Sequence, residues 1–203
     1  MRTVYFVRHG QTDWNAEGRV QGRLESTLTP LGRGQARATA ERIATLGVDG
    51  IVASTALRAR QSAEILAELT GLVPRYDERL VEWDAGEWSG HLYAELVERW
   101  SDAFAAWTDD PWTVPAPGGE TFADLVHRGR PALNEVLASG VARVAIVFHG
   151  FIGRALLADL VGLSRAEATR LKGPNDAFFR CREADGGWRC ERFERDEEPV
   201  VIV

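Results

Sequence analysis

Short apolar, β-rich runs alternate along this chain with longer amphipathic stretches, and that alternation leaves few folds open to it. Residues 3–7, 50–53 and Arg143–Phe148 read as buried strands, and 73–76 is a further strand candidate. Helical stretches lie between them. One opens at Thr29-Pro30, with Thr as N-cap and Pro in the first helical position, and runs to about Leu46. Others cover 57–69, a segment capped by Thr121 that runs to about Ala138, Gly150–Val161, and a short helix opened by the Ser164/Glu167 capping box. Strands that alternate with helices imply an α/β fold: a three-layer α/β/α sandwich around a mostly parallel sheet. Residues 177–182 and 188–193 flank a turn and add an antiparallel hairpin at the C-terminal edge. The one interruption runs from Glu82 to Gly119. It holds a Gly- and Trp-rich loop (82–90), two short helical stretches (91–100 and 101–107) and a Pro/Gly loop (108–119). The expectation is a single domain over 1–203 with a small helical cap at about 82–119, and a frayed polar stretch at 196–198.

Composition narrows the function. The formal net charge is −6, so a global basic footprint for nucleic acid is absent. An anion would have to be held by a local cluster of positive groups. No run of about 18 apolar residues is present, so no membrane span is expected. The opening MRTVYFVRHG is too short in its apolar part to serve as a signal peptide, and the expected location is the cytoplasm. Cys181 and Cys190 flank Ala-Asp-Gly-Gly; if Asp185-Gly186 is a two-residue turn, the two face each other across the hairpin. In a reducing compartment they stay thiols, and their spacing is not that of a zinc site.

Open α/β sheets bind ligands beyond the carboxyl ends of their strands. Arg8, His9 and Gly10 follow the first strand, Ser54 and Arg58 the second, and His149 and Gly150 the strand Arg143–Phe148. Four cationic or potentially cationic side chains therefore converge on one crevice beside a helix start, which is an anion site in an acidic protein.

These residues also carry a family pattern. Arg8-His9-Gly10-Gln11-Thr12-Asp13-Trp14-Asn15 resembles the signature of the histidine phosphatase superfamily, in its phosphoglycerate-mutase-like branch. Ser54 with Arg58, Ala59, Gln61, Ser62 and Ala63 resembles its second motif. Leu80-x-Glu82 followed by Gly86-x-Trp88-x-Gly90, then Pro117-Gly118-Gly119-Glu120-Thr121, and finally Phe148-His149-Gly150 resemble its later ones, in order along nearly the whole chain. The resemblance implies that His9 is a nucleophile that becomes phosphohistidine, and that Arg8, Arg58 and His149 hold the phosphoryl oxygens. It also implies that Glu82 protonates the leaving group and then activates water. A raised pKa from burial in the cap would suit that role of Glu82. Asn15, Gln21, Gly22 and Gly150 match positions that touch phosphate or substrate. Gln11 stands where Glu is usual, Glu25 where Asp is common, Phe148 where Ser is frequent, and Ala177 where Ser often follows Asn175; these bear on specificity more than on chemistry.

The implied activity is hydrolysis of a small-molecule phosphate ester with no cofactor or metal, by a monomer or homodimer that binds neither nucleic acid nor membrane. Vanadate, a phosphoryl mimic, should occupy the crevice. A phosphoglycerate mutase is the first alternative; against it, the loop after Glu82 lacks the basic and Asn-Lys residues that read glycerate, and Lys172 is the only lysine. A catalytically dead phospho-ligand binder is the second, and intact His9, Arg58, Glu82 and His149 oppose it. Trp83, Trp88, Trp100, Trp107 and Trp112 fall in the cap, where they serve better as its core than as a wall for an aromatic substrate.

Overall fold

The computed structural model describes residues 1–194 and 197–203. In chain order its elements are β1 (Thr3–Arg8), α1 (Asp13–Glu17), α2 (Pro30–Leu46), β2 (Gly50–Ser54), α3 (Leu57–Thr70) and β3 (Arg75–Asp77). Two single-turn helices, Glu78–Leu80 and Gly86–Trp88, lead into α4 (Tyr93–Arg99) and α5 (Ser101–Asp109). Then come α6 (Phe122–Ala138), β4 (Arg143–Phe148), α7 (Gly150–Val161), α8 (Arg165–Arg170), β5 (Ala177–Ala184), β6 (Gly187–Glu194) and β7 (Val200–Val201).

Among the described residues the sheet has seven strands in the order β3-β2-β4-β1-β5-β6-β7. The first four run parallel, and β5, β6 and β7 continue the sheet antiparallel. Alternation along the parallel strands builds two cores. Tyr5, Val7, Ile51, Ala53, Ala145 and Val147 pack on one face against Ile43 of α2 and Ala59, Ala63 and Leu66 of α3. Val4, Phe6, Val52, Val144, Ile146 and Phe148 pack on the other against Leu133 and Val136 of α6 and Ile152 and Leu156 of α7. Side chains that alternate across each strand thus give the helix–sheet–helix layering that the sequence implies. Phe148 takes its place because Gly153 yields the space: a Cβ there would stand 2.2 Å from the Phe148 ring.

Four details differ from the sequence reading. The third strand starts at Arg75, not residue 73, because Pro74 has no N–H to give a ladder and Val73 stays exposed. The short helix α1 was not anticipated; Thr12 caps it, its hydroxyl accepting from Asn15 N–H while Asn15 Oδ1 accepts from Thr12 N–H. Helix α5 runs on to Asp109, where a loop was expected. Strand β7 was also unforeseen; it returns to pair Val200 with Arg192 and Val201 with Glu191. Of the 196–198 stretch, Asp196 lies outside the described residues, and Glu197 donates its N–H to the Glu194 carbonyl at 3.0 Å. In the hairpin, Ala184 pairs with Gly187 and Cys181 with Cys190, which puts Asp185-Gly186 in a two-residue turn and leaves two buried free thiols face to face.

Over the carboxyl ends of the parallel strands, Trp83, Trp88 and Trp107 gather with Phe104 and Phe151, ring centroids 4.9–6.3 Å apart. Among the described residues, no helix is long and apolar enough to cross a membrane.

Candidate active site

The register of β1 on β4 fixes the site. Arg8 lies opposite Phe148, so the next residues, His9 and His149, leave the sheet side by side, and His9 N–H donates to the Phe148 carbonyl at 3.1 Å. The loop after β1 presses on the first turn of α2. A Cβ on Gly10 would stand 2.0 Å from the Gly32 carbonyl oxygen, and one on Gly32 would stand 1.9 Å from that of Gln11. Only glycines allow that approach, and it pins His9.

The His9 ring is buried, with Nδ1 2.7 Å from the Gly10 carbonyl oxygen. A carbonyl only accepts, so Nδ1 carries the hydrogen and Nε2 keeps its lone pair. The His149 ring stands 5.2 Å from it, centroid to centroid, at 61°. Its Nε2 meets Ser54 Oγ at 2.8 Å, while its buried Nδ1 has no partner within the protein. Both imidazoles are held well below the ordinary histidine pKa, first by burial and next by the Arg58 charge. They are neutral bases in a positive surround.

The positive charge comes from two guanidiniums, that of Arg58 buried and that of Arg8 half-buried. Arg58 opens α3 and is 1 % exposed; its Nη atoms donate to the carbonyls of Leu24 at 2.9 Å and Gly22 at 2.8 Å. Gly22 presents that carbonyl from the left-handed region, φ +51, where a side chain would be strained. Arg8 donates from Nη1 to the Gly173 carbonyl at 2.7 Å. The Nε of both guanidiniums is buried with no partner in the protein. Burial lowers the pKa of each, and the Glu82 charge opposes it.

Glu82 lies at the start of α7. Its carboxylate accepts from Phe151 N–H at 3.1 and 3.2 Å, from Ile152 N–H at 3.1 Å and from Trp83 N–H at 3.0 Å. The first N–H groups of a helix have no partner within it, so a carboxylate there is well placed. Glu82 is buried as expected, and its carboxylate lies at a helix N-terminus, not in purely apolar surroundings. Its loop is anchored by Arg128, which pairs with Glu120 at 3.0 Å and donates to the carbonyls of Arg79 and Val81.

Arg8, His9, Asn15, Gln21, Gly22, Arg58 and Glu82 share one cavity of about 360 Å³, open mouth included. Asn15 Oδ1 is committed to Thr12 N–H, and Gln21 Oε1 accepts from Ser26 Oγ at 2.5 Å, so the amide nitrogens of both are the groups left for the cavity. His149 backs His9, and Gly150 lines a neighbouring groove instead of this cavity. Arg19, Trp83, Tyr93 and Phe151 complete the wall and were not among the expected site residues. Trp83 thereby serves both the aromatic cluster and the cavity. Adjacency to motif residues was the only available signal for Trp83 and Phe151; nothing in the sequence marked Arg19 or Tyr93. Among the described residues, no three His, Cys, Asp or Glu side chains gather as metal ligands.

Arg8 and Arg58 carry two positive charges, Glu82 carries one negative, and the two imidazoles are neutral. A buried charge without a partner costs several kcal/mol. A tetrahedral dianion seated beside them would offset that cost.

Comparison with known proteins points to one family. Residues 4–196 match the family model described as the histidine phosphatase superfamily (branch 1). A glucosyl-3-phosphoglycerate phosphatase of Mycobacterium tuberculosis is 38% identical over 196 residues, covering 92% of this chain and 86% of the relative. A protein of Enterobacter sp. (strain 638), named a probable phosphoglycerate mutase, is 35% identical over 192 residues, covering 93% and 88%. The structure of a mycobacterial glucosyl-3-phosphoglycerate phosphatase in complex with VO3 superposes with a TM-score of 0.88 at 35% identity, covering 97% of this chain and 100% of that one.

Proposed function

The chain belongs to the histidine phosphatase superfamily, branch 1, and we propose that it is a phosphomonoesterase that works through a phosphohistidine on His9. The observation that carries this reading is the neutral His9 ring, tied through Nδ1 to a carbonyl, beside two guanidiniums whose buried Nε atoms have no partner in the protein. The whole of 1–203 forms the catalytic domain, and 82–119 is its cap.

In the first step, His9 Nε2 attacks phosphorus and the bond to the ester oxygen breaks. Glu82 gives a proton to the departing alkoxide, so the alcohol leaves neutral. In the second step Glu82 takes a proton from water, whose oxygen attacks phosphorus; the P–N bond breaks and inorganic phosphate leaves. Arg8, Arg58 and His149 hold the three peripheral oxygens, and Asn15 and Gln21 present amide N–H groups. Negative charge in phosphoryl transfer is spread over those oxygens, so fixed donors in a buried site supply much of the acceleration. Gly22 acts by orienting Arg58, and Gly150 by opening α7 over the site.

The substrate is a small phosphate ester. The enzyme is placed in the cytoplasm, as a monomer or homodimer without nucleic acid. In that reducing compartment Cys181 and Cys190 stay thiols, and a net charge of −6 speaks against a polyanion partner. Hydrolysis is favoured over phosphoryl return to substrate because the loop from Glu82 to Tyr93 has no Lys or Arg to seat a mutase substrate in two orientations. The test is release of phosphate from an aryl phosphate between pH 4 and 8, with EDTA present, by wild type and His9→Ala. Activity that survives EDTA and is lost in His9→Ala supports the reading; chelator inhibition of the wild type, or retained activity in the variant, overturns it.

A further inference from the structure

The two histidines beyond β1 and β4 are tied to the protein through different nitrogens. His9 engages Nδ1, at the Gly10 carbonyl, and His149 engages Nε2, at Ser54 Oγ. Ser54 ends β2 and is fully buried. Its Oγ lies 2.8 Å from His149 Nε2 and accepts from Ala56 N–H at 3.3 Å. Among the described residues, no carbonyl or carboxylate oxygen is hydrogen-bonded to that hydroxyl.

A neutral imidazole carries one N–H, so the contact with Ser54 has two possible senses. If Nε2–H donates to Oγ, the Ser54 hydrogen is buried with no acceptor, and the buried Nδ1 is a lone pair with no donor. Two groups are then unmet. If the Ser54 hydroxyl donates to Nε2, both of its ends are satisfied and only the Nδ1–H is unmet, with no partner within the protein. Buried polar groups are costly to leave unpaired, so the second sense is favoured. Ala56 N–H reinforces it, because it occupies a lone pair of Oγ and leaves the hydroxyl hydrogen to turn to the ring. A doubly protonated ring is opposed by burial and by the Arg58 charge.

The one unmet group is what an anion needs. A lone pair on Nδ1 would repel a phosphoryl oxygen, whereas an N–H attracts it. We infer that Ser54 is a positioning residue: its hydroxyl donates to His149 Nε2 and so keeps the hydrogen on Nδ1, where the neutral ring holds a phosphoryl oxygen as a donor. The inference rests on the phosphatase reading of the His9 cavity. One imidazole then offers phosphorus a lone pair and the other offers oxygen a hydrogen. A single neighbour sets each, a carbonyl for His9 and a hydroxyl for His149.

The test is nitrogen-15 NMR of histidine-labelled enzyme at pH 7.5. The chain has four histidines. The His149 signals are those lost in His149→Gln or, where that variant fails to fold, those left after His9→Gln, His91→Gln and His127→Gln assign the others. In the wild type Nδ1 should give a pyrrole-type shift and Nε2 a pyridine-type shift, and inorganic phosphate should move the Nδ1 signal. In Ser54→Ala both nitrogens should move to intermediate shifts as the two tautomers mix. The inhibition constant of inorganic phosphate should rise roughly 3- to 10-fold there, the fold-change of one neutral hydrogen bond. A pyridine-type Nδ1 or two pyrrole-type nitrogens in the wild type overturns the inference. So does an Nδ1 signal unmoved by saturating phosphate, or a folded Ser54→Ala with unchanged His149 shifts. Where Ser54→Ala fails to fold, Ser54→Cys, with its weaker S–H donor, decides by the same shifts. The expected shifts without aryl phosphate hydrolysis by the wild type contradict the phosphatase reading instead and leave the Ser54–His149 assignment standing.

Discussion

The Nδ1–H of His9 donates to the carbonyl of its neighbour Gly10 at 2.7 Å, and this short-range bond decides which nitrogen faces the cavity. Because the ring is buried and lies near Arg58 and Arg8, protonation of Nε2 is disfavoured as well. A nucleophile that is both oriented and neutral follows from two local facts, a carbonyl in reach and a positive surround.

That neutrality has a pH signature. The kcat/KM profile reports groups of the free enzyme, so no loss of activity from His9 protonation is expected as pH falls through 6.5. Stability behaves differently. The folded pKa of His9 and of His149 lies well below 6.5, so below that pH the unfolded chain binds more protons than the folded one. The contribution is fully present above 6.5 and is lost progressively as pH falls below it, by up to about 1.4 kcal/mol per pH unit for each histidine. Urea unfolding at pH 7.5, 6.0 and 5.0 measures this, and His149→Gln should flatten the slope. A wild-type stability that is flat from 7.5 to 5.0 contradicts the buried neutral pair.

Glu82→Gln separates acid catalysis from binding. For an alkyl phosphate, whose alkoxide leaves poorly, kcat/KM, which reports the first phosphoryl transfer and not the later attack of water, should fall by about 10²–10⁴. For p-nitrophenyl phosphate, whose leaving group needs little help from a proton, the loss should be far smaller. Equal losses on both substrates would mean that Glu82 positions groups and does not donate the proton.

Arg58 is predicted to act on the anion. Arg58→Gln should weaken inhibition by inorganic phosphate by roughly 10- to 150-fold, from the loss of a charge-assisted hydrogen bond. Its kcat should fall by roughly 10²–10³. An inhibition constant within twofold of the wild type would place the phosphate elsewhere.

Two glycines on the same helix make a matched pair. A Cβ on Gly32 would meet the Gln11 backbone at 1.9 Å, whereas one on Gly34 has nothing within 4 Å. Gly32→Ala should cost about 1–3 kcal/mol or more and displace the His9 loop; Gly34→Ala should stabilise by about 0.5–1 kcal/mol. Thermal melts of the two variants check this directly, and equal melting temperatures would show that the loop does not depend on the close approach.

Much of this was legible in the sequence. Buried parallel strands have continuous apolar runs, and capping residues mark helix starts, so β1, β2, β4, α2 and α6 stand out. Arg8, His9 and His149 follow because strand ends in such a sheet converge. What escaped depends on tertiary geometry. Strand β7 has two residues and gains its identity only by pairing with β6. Arg19 and Tyr93 reach the cavity through the bridge of Arg19 with Leu92, and no local pattern encodes that contact. The contact of Glu82 with the first turn of α7 escaped as well, because that helix N-terminus lies 69 residues away in the chain.

The most direct test of the central claim is acid-free rapid quenching of the enzyme during turnover, followed by peptide mapping of the phosphoryl group. A phosphohistidine at His9 that forms and decays at rates compatible with turnover, and is absent in His9→Ala, is the predicted result. Turnover with no phosphoryl group on His9, or a phosphoryl group on another residue, would contradict the account.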